Sequence, residues 1–512
     1  MLLQLKDAAD IESANRAANR LLSVHSEWFL AQDGGAPLAL DQSEFDFSVA
    51  HRHLIFSSWT ETGSRSWRIS QWSWNGERLI LEASRRMGAE VSTLELIPRA
   101  SAKAIVAGIA AARQTRCEKL AQVFSETFPP AKIERAVLSP GMRRDQPGRY
   151  ARIILRLPHE RIAITATVAG GDTRNLDSLF SSALLWFNRL QGSPKRPPVN
   201  RLLIAVEHNI LEAARQRHVL LRDLLRQRIV LIEIDETWQR VEAARAFERK
   251  NLWRKRLAHF PPLIEGQTSE RIDEILSQAP EAIDVVASRH GQTLRYHGLP
   301  FARVRRVMDR DRVWFGIEGA RRRSLDEYHE RDWTKLLGDL EVYRNERCRD
   351  RHHWFYRAAG EAWLESILRR DITRLDPGLI IAPLHAQFRT SHGGPTGARP
   401  IDLLALRYDG RLVVIELKVS EDREHVFQGV DYWRRVEAHR RRGHISSARL
   451  FGEREISDES PLVYLVAPTL RFHPSFRTLA RTIAPDIEIY RFDINEDWRS
   501  GVRVVRRERV NE

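Results

Sequence analysis

Two carboxylates and one amine stand at strand spacing in the C-terminal third of the chain: Asp402, Glu416 and Lys418. Glu416 and Lys418 alternate within LVVIELKV, so on an extended strand they point to one face. Asp402 opens the preceding apolar run IDLLALRYDG, and Asp409-Gly410 between the two runs is a hairpin signal. A two-residue turn there brings Asp402 beside the end of the second strand, and both carboxylates converge. Two anions and an ammonium at the tip of an apolar sheet are expensive to desolvate. A hard divalent cation resolves that cost, because Mg²⁺ binds one or two carboxylates and keeps several waters. Such an ion polarises a phosphoryl oxygen and generates a hydroxide nucleophile, while Lys418 would orient or deprotonate the attacking water. The alternative is a strand-edge salt bridge between Glu416 and Lys418.

The choice of lysine sharpens the first reading. Nine lysines stand against 73 arginines in the chain, and Lys418 is the only lysine after residue 335. A desolvated amine can lose its proton; a guanidinium cannot.

The run RPIDLLALRYDGRLVVIELKVSED resembles the PD-(D/E)xK nuclease superfamily, with Pro400, Asp402, Glu416 and Lys418 on the motif positions. It departs in one respect, since Ile401 separates Pro400 from Asp402. Gln428-Gly-Val-Asp-Tyr432 resembles the QxxxY motif of RecB-like nucleases, and EAWLESILRRDITRLDPGL is similar to the helix that starts NucS-like endonuclease domains. In those domains a glutamate of that helix joins the metal site. Glu361 is the better match, and Glu365, one turn later on the same face, is the second candidate.

The resemblance implies a restriction-endonuclease-like fold and phosphodiester hydrolysis with Mg²⁺ or Mn²⁺. Nucleic acid would be the substrate, DNA favoured over RNA, and the activity that of an endodeoxyribonuclease. Asp402, Glu416 and Glu361 would hold the metal. Gln428 and Tyr432 would bind substrate or hold the metal-site residues, unless Tyr432 and Trp433 simply pack. Arg434, Arg435, Arg440, Arg441 and Arg442 on the same helix could meet phosphates.

Positioning these residues requires an α/β architecture. Residues 1–100 read as a helix and a small antiparallel β unit, with Asn75-Gly76 as a hairpin turn. Its tryptophans Trp59, Trp67, Trp72 and Trp74 fill a sheet core or, in the sharper reading, stack on bases. Residues 101–262 and 351–512 both run helix, three strands, helix, strand, helix, strand. They predict two restriction-endonuclease-like αβββαβ units. Sliding RIAITATV onto LVVIELKV puts Thr165 at the place of Glu416, Thr167 at that of Lys418, and Ile153 roughly opposite Asp402. Hydroxyls cannot supply a carboxylate's charge to Mg²⁺, so the first unit reads as degenerate. Residues 238–260 read as a charged helix closed by Pro261-Pro262. Residues 263–350 read as a mixed, Arg-rich connecting region, its basic runs solvated or in contact with phosphate.

Composition bounds the classes. The chain has 512 residues, 42% hydrophobic and 29% charged, with net charge +14. That is too apolar for a disordered chain and compatible with a phosphate-bearing partner. Two cysteines are too few for a disulfide framework. The absence of a long apolar run predicts no membrane span, and the expectation is a soluble cytoplasmic protein. The oligomeric state stays open. Weaker signals are His51-x-His53, His352-His353, the loop histidines His385 and His392, and Gly393–Gly397, which lacks the Gly-Lys-Ser/Thr of a P-loop. Two readings compete with a nuclease: a non-catalytic nucleic-acid-binding or regulatory scaffold, and a protein-interaction module.

Overall fold

The computed structural model describes residues 3–5, 7–25, 27–33, 38–41, 44–60, 63–85, 88, 90–98, 102–140, 148–170, 173–192, 198–235, 237–254, 269–288, 291–307, 310–317, 323–380, 386–388 and 401–512. Pro400, His385, His392, residues 393–397 and the Pro261-Pro262 pair lie outside them. The protein is mixed α/β, with four sheets among the described residues. The first is antiparallel, lies within residues 3–98 and packs on the helix Ala8–Val24. Trp67 is buried in its core and Trp72 and Trp74 pack against that core, the role that alternation of apolar residues favours.

The second sheet follows the helix α1 (Ala102–Thr127). Its elements are β1 (Lys132–Leu138), β2 (Tyr150–Arg156), β3 (Arg161–Thr167), α2 (Leu176–Gln191), β4 (Arg201–Glu207), α3 (His208–His218), β5 (Ile229–Ile234) and β6 (Val241–Ala243). The strand order is β6-β5-β4-β3-β2-β1, parallel only where β3, β4 and β5 meet. Of the charged helix expected over 238–260, the described part, residues 238–254, is instead the edge strand β6, irregular backbone, and a 3-10 turn over Arg249–Trp253. The Asp235 carboxylate accepts from the backbone N–H groups of Thr237, Gln239 and Arg240, and that turn delivers the chain to β5 as a strand.

The C-terminal sheet repeats this order. After α4 (Gly360–Arg370) come β7 (Leu379–Ile380), β8 (Ala386–Phe388), β9 (Ile401–Arg407), β10 (Leu412–Leu417), α5 (His425–Arg440), β11 (Leu462–Pro468), α6 (Phe476–Ala480), β12 (Ile489–Ile494) and β13 (Val504–Arg509). The order is β13-β12-β11-β10-β9, with β7 and β8 both on β9, and again only β10, β11 and β12 run parallel. All six residues of β10 are buried, as expected for a strand covered on both faces.

Equivalent elements of the two sheets meet. One hydrophobic cluster joins Phe180, Phe187 and Leu211 of the first to Phe427, Trp433 and Phe476 of the second. Residues 220–222, after α3, and 482–484, after α6, pair antiparallel through Arg222 N–H to Thr482 O and Ala484 N–H to Leu220 O. The surface is self-complementary in the manner of a two-fold dimer interface, here within one chain. Beneath the apolar contact lies an ion cluster: Arg217 pairs with Asp177 at 2.7 Å and with Asp431 at 3.6 Å.

The connecting region is more ordered than its composition suggests. Five strands within residues 283–324 form an antiparallel sheet backed by helices Glu270–Gln278 and Glu330–Tyr343. Fully buried Arg344 donates to the carbonyls of Tyr296, His297, Phe355 and Ala358. Those bonds clamp this sheet onto the segment that leads into α4.

Candidate active site

The hairpin β9–β10 turns through Tyr408-Asp409-Gly410, one residue longer than a two-residue turn, with Gly410 at φ +81°. Arg407 N–H donates to Arg411 O, and Leu403 faces Ile415. The next rung in that register sets Asp402 opposite Glu416, at the spacing of a cross-strand pair. The Leu417 N–H donates to Asp402 Oδ2 at 2.8 Å, which fixes the carboxylate at the end of β10. Lys418 Nζ donates to Glu416 Oε1 at 2.8 Å and lies 3.8 Å from both Glu361 Oε2 and Asp422 Oδ2. Three carboxylates therefore lie within 4 Å of one ammonium, and Asp402 stands beside them, where β9, β10, α4 and the loop after β10 come together.

Charge is out of balance there. Burial, then the neighbouring Glu416, pushes the Asp402 carboxyl well above the usual carboxylate range, against the opposing pull of Lys418. Burial alone would lower the Lys418 amine, yet Glu416, Glu361 and Asp402 more than offset it and hold the amine charged. Glu416 is 2% exposed, and its Oε2 is buried without a hydrogen-bond partner. An orphaned buried carboxylate oxygen is costly, and hard oxygen donors of this kind suit Mg²⁺ or Mn²⁺. The donor set fits such an ion in chemistry. Its side chains are turned to Leu417 N–H and Lys418 instead, and among the described residues no three His, Cys, Asp or Glu groups are already clustered as ligands.

The remaining expected site residues are distributed differently. Glu365 does not join Glu361: it is 2% exposed and pairs with Arg295 at 3.1 Å, in a network with Asp284 and Arg369. It ties α4 to the connecting sheet. Gln428 is buried at the start of α5, donates to Glu424 Oε2 at 3.4 Å, and leaves its own Oε1 without a partner. Tyr432 packs in the core with Leu404, Leu406 and Val414, beneath the Arg435 guanidinium.

The five arginines are engaged within the protein, Arg441 and Arg442 just past the end of α5 rather than on it. Arg434 and Arg435 pair with Asp431, Arg440 and Arg441 with Glu437, and Arg442 donates to the carbonyls of Ala438 and Trp253. Acids three or four residues earlier on the same helix capture the first four. Asp431 also pairs with Arg217 of the first unit, and Arg441 and Arg442 reach Trp253 of that unit, Arg441 over its ring and Arg442 at its carbonyl.

Two residues of the site carry no motif. Asp422 approaches Lys418, and His425, at the first position of α5, meets the Glu416 carbonyl at 3.2 Å through Nε2. Burial and then Lys418 push the His425 imidazole down to about 3, so it stays neutral and its Nε2–H donates to that carbonyl. A lone histidine nine residues after the glutamate gives no periodic signal, and only the fold returns it to the strand end.

The corresponding place in the first unit has a different composition. Ile162 pairs with Arg201 as Val413 pairs with Leu462, which aligns Thr165 with Glu416 and Thr167 with Lys418. Thr165 faces Arg152 across β2–β3, so Arg152, not Ile153, occupies the Asp402 position. Ile153 points to the opposite face, into the core under α1.

No protein-family model matches the chain, and no curated protein matches it in sequence. Among the described residues no helix is long and apolar enough to cross a membrane.

Proposed function

We propose that the chain is a metal-dependent nuclease, its two repeated sheets being restriction-endonuclease-like units of which only the C-terminal one is catalytic. The observation that carries this reading is the placing of Asp402, at Leu417 N–H, and Glu416, on Lys418, together at the end of β10, with Glu416 Oε2 buried and unpartnered. Asp402 and Glu416 would hold a hard divalent ion such as Mg²⁺ or Mn²⁺, with Glu361 assisting from the first turn of α4. When bound, such an ion polarises a phosphoryl oxygen and acidifies a water. Lys418, 2.8 Å from Glu416 Oε1, would orient or deprotonate the attacking water and offset charge on the phosphoryl oxygens. His425 holds the backbone of Glu416 in place. DNA is the favoured substrate. Incubating the full chain with single- and double-stranded DNA and RNA, in Mg²⁺, Mn²⁺ or EDTA, tests the reading. Cleavage that needs the metal and vanishes in Glu416→Ala supports it; metal-independent or absent cleavage rejects it.

A second reading, a scaffold that binds nucleic acid without cutting it, draws on the direct Lys418–Glu416 pair, which satisfies one carboxylate oxygen without a metal. Salt-dependent binding with no cleavage in any metal would favour it.

A further inference from the structure

The first unit keeps a buried polar cluster at the place where the second keeps its carboxylates. Arg152, Thr165 and Thr167 share the face of the sheet that α2 covers, and they are 9%, 0% and 6% exposed. Thr165 Oγ1, Thr167 Oγ1 and Arg152 Nε are all buried without a hydrogen-bond partner. Arg152 donates once, from Nη2 to Ser182 Oγ at 3.0 Å, and its guanidinium lies over the Trp186 ring. A buried cation is ordinarily paired. This one is surrounded by its own sign: burial, then Arg189, Arg423 and Arg135, pushes it down to about 10, so it is still charged at neutral pH.

Such a cluster repels a metal ion and suits an oxyanion. A guanidinium offers a fork of donors matched to phosphate geometry, and two hydroxyls add donors that need no counter-charge. The place is also linked to the catalytic candidate. Arg423 lies in the short loop leading from Lys418 to α5, and its carbonyl accepts from Ser181 Oγ of α2. One loop thus runs from the carboxylate site of the second unit to the arginine cluster of the first.

We propose that Arg152, with the hydroxyls of Thr165 and Thr167, receives a backbone phosphate of the nucleic acid, so that the first unit holds the polymer that the second cuts. The proposal rests on the nuclease reading only in taking nucleic acid as the ligand.

The test uses the full chain carrying Glu416→Ala, so that nothing is cut, and reads binding of a fluorescent DNA duplex by anisotropy across a salt series. Arg152→Gln should weaken binding about tenfold or more and reduce the slope of log K against log salt by about one. Thr165→Val with Thr167→Val, which keep the shape, should weaken binding about fivefold with the slope unchanged. Melting temperatures check folding, and the valine pair decides the matter if Arg152→Gln does not fold. Unaltered affinity and slope in folded variants overturn the proposal, whatever the cleavage assay gives. An Arg152-dependent stabilisation by inorganic phosphate, with duplex affinity unaltered, assigns the cluster to a free phosphate and overturns the backbone assignment. Loss of metal-dependent cleavage with Arg152-dependent binding retained would reject the nuclease reading alone.

Discussion

The two repeated sheets share strand order, strand sense and register, yet at matching positions one carries Asp402, Glu416 and Lys418 and the other Arg152, Thr165 and Thr167. The carboxylate set has excess negative charge around one ammonium; the arginine set has a cation among cations. Because the backbone is held constant, the contrast separates what the fold requires from what chemistry would require. Packing needs the apolar face under each helix, and both units supply it. Neither buried polar set is needed for packing, and each leaves oxygen or nitrogen atoms without partners. A fold that only had to be stable would fill such places with apolar side chains.

The comparison can be broken at several levels. The largest effect expected is on cleavage: Glu416→Ala should reduce it at least about 10⁴-fold, ~5.5 kcal/mol in barrier, while Thr165→Val should leave an intact active site. Equal losses in a cleavage time course would erase the asymmetry. Next is the seam. Asp431 serves Arg217, Arg434 and Arg435, and although burial would raise its carboxyl, those guanidinium groups hold it below the usual carboxylate range. Asp431→Asn strands buried cations and should cost about 3–5 kcal/mol in denaturant unfolding. A change under 1 kcal/mol would mean that the seam is not a stabilising interface.

Smaller effects come from ligands and pH. A non-catalytic divalent ion such as Ca²⁺ at about 100 times its Kd should stabilise the wild type by about 2.7 kcal/mol, and the Glu416→Ala chain not at all. Thermal melts in Ca²⁺ and in EDTA measure this. The two aspartates give opposite pH signs. The Asp402 value is raised in the fold, so its contribution is full below the unfolded carboxylate value and lost as pH rises through the folded one. The Asp431 value is depressed, so its contribution is present above the unfolded value and lost as pH falls. Asp402→Asn should therefore raise the melting temperature at neutral pH in EDTA, and Asp431→Asn should lower it. The smallest effect is steric. A Cβ on Gly429 would sit 2.5 Å from Leu465 Cδ2, so Gly429→Ala should cost roughly 1–3 kcal/mol as α5 lifts from the sheet.

Local signals in the sequence carry far. The apolar run before Glu416, the Asp409-Gly410 turn and the strand–helix alternation locate most of both sheets, because each depends on neighbours within a few residues. Long-range partners are not legible. Glu365 looks equivalent to Glu361 on its helix, and only the fold brings Arg295, seventy residues earlier, to claim it. The arginines of α5 read as a basic face because the acids that hold them also lie on that helix. Sliding one string over another placed Ile153 against Asp402, whereas the ladder selects Arg152; a slip of one residue turns a side chain to the other face of a sheet. The fold returns Asp422 and His425 to the edge that holds Glu416 and Lys418 from beyond the strand, where no spacing rule reaches.

The central claim is that one of two matching places in this chain is built for a divalent metal. Titrating Mn²⁺ into the full chain and counting bound ions by electron paramagnetic resonance tests it most directly. The account predicts one ion per chain, lost in Glu416→Ala and in Asp402→Asn and retained in Arg152→Gln. An ion that survives both carboxylate substitutions, or a wild-type chain that binds none, would contradict it.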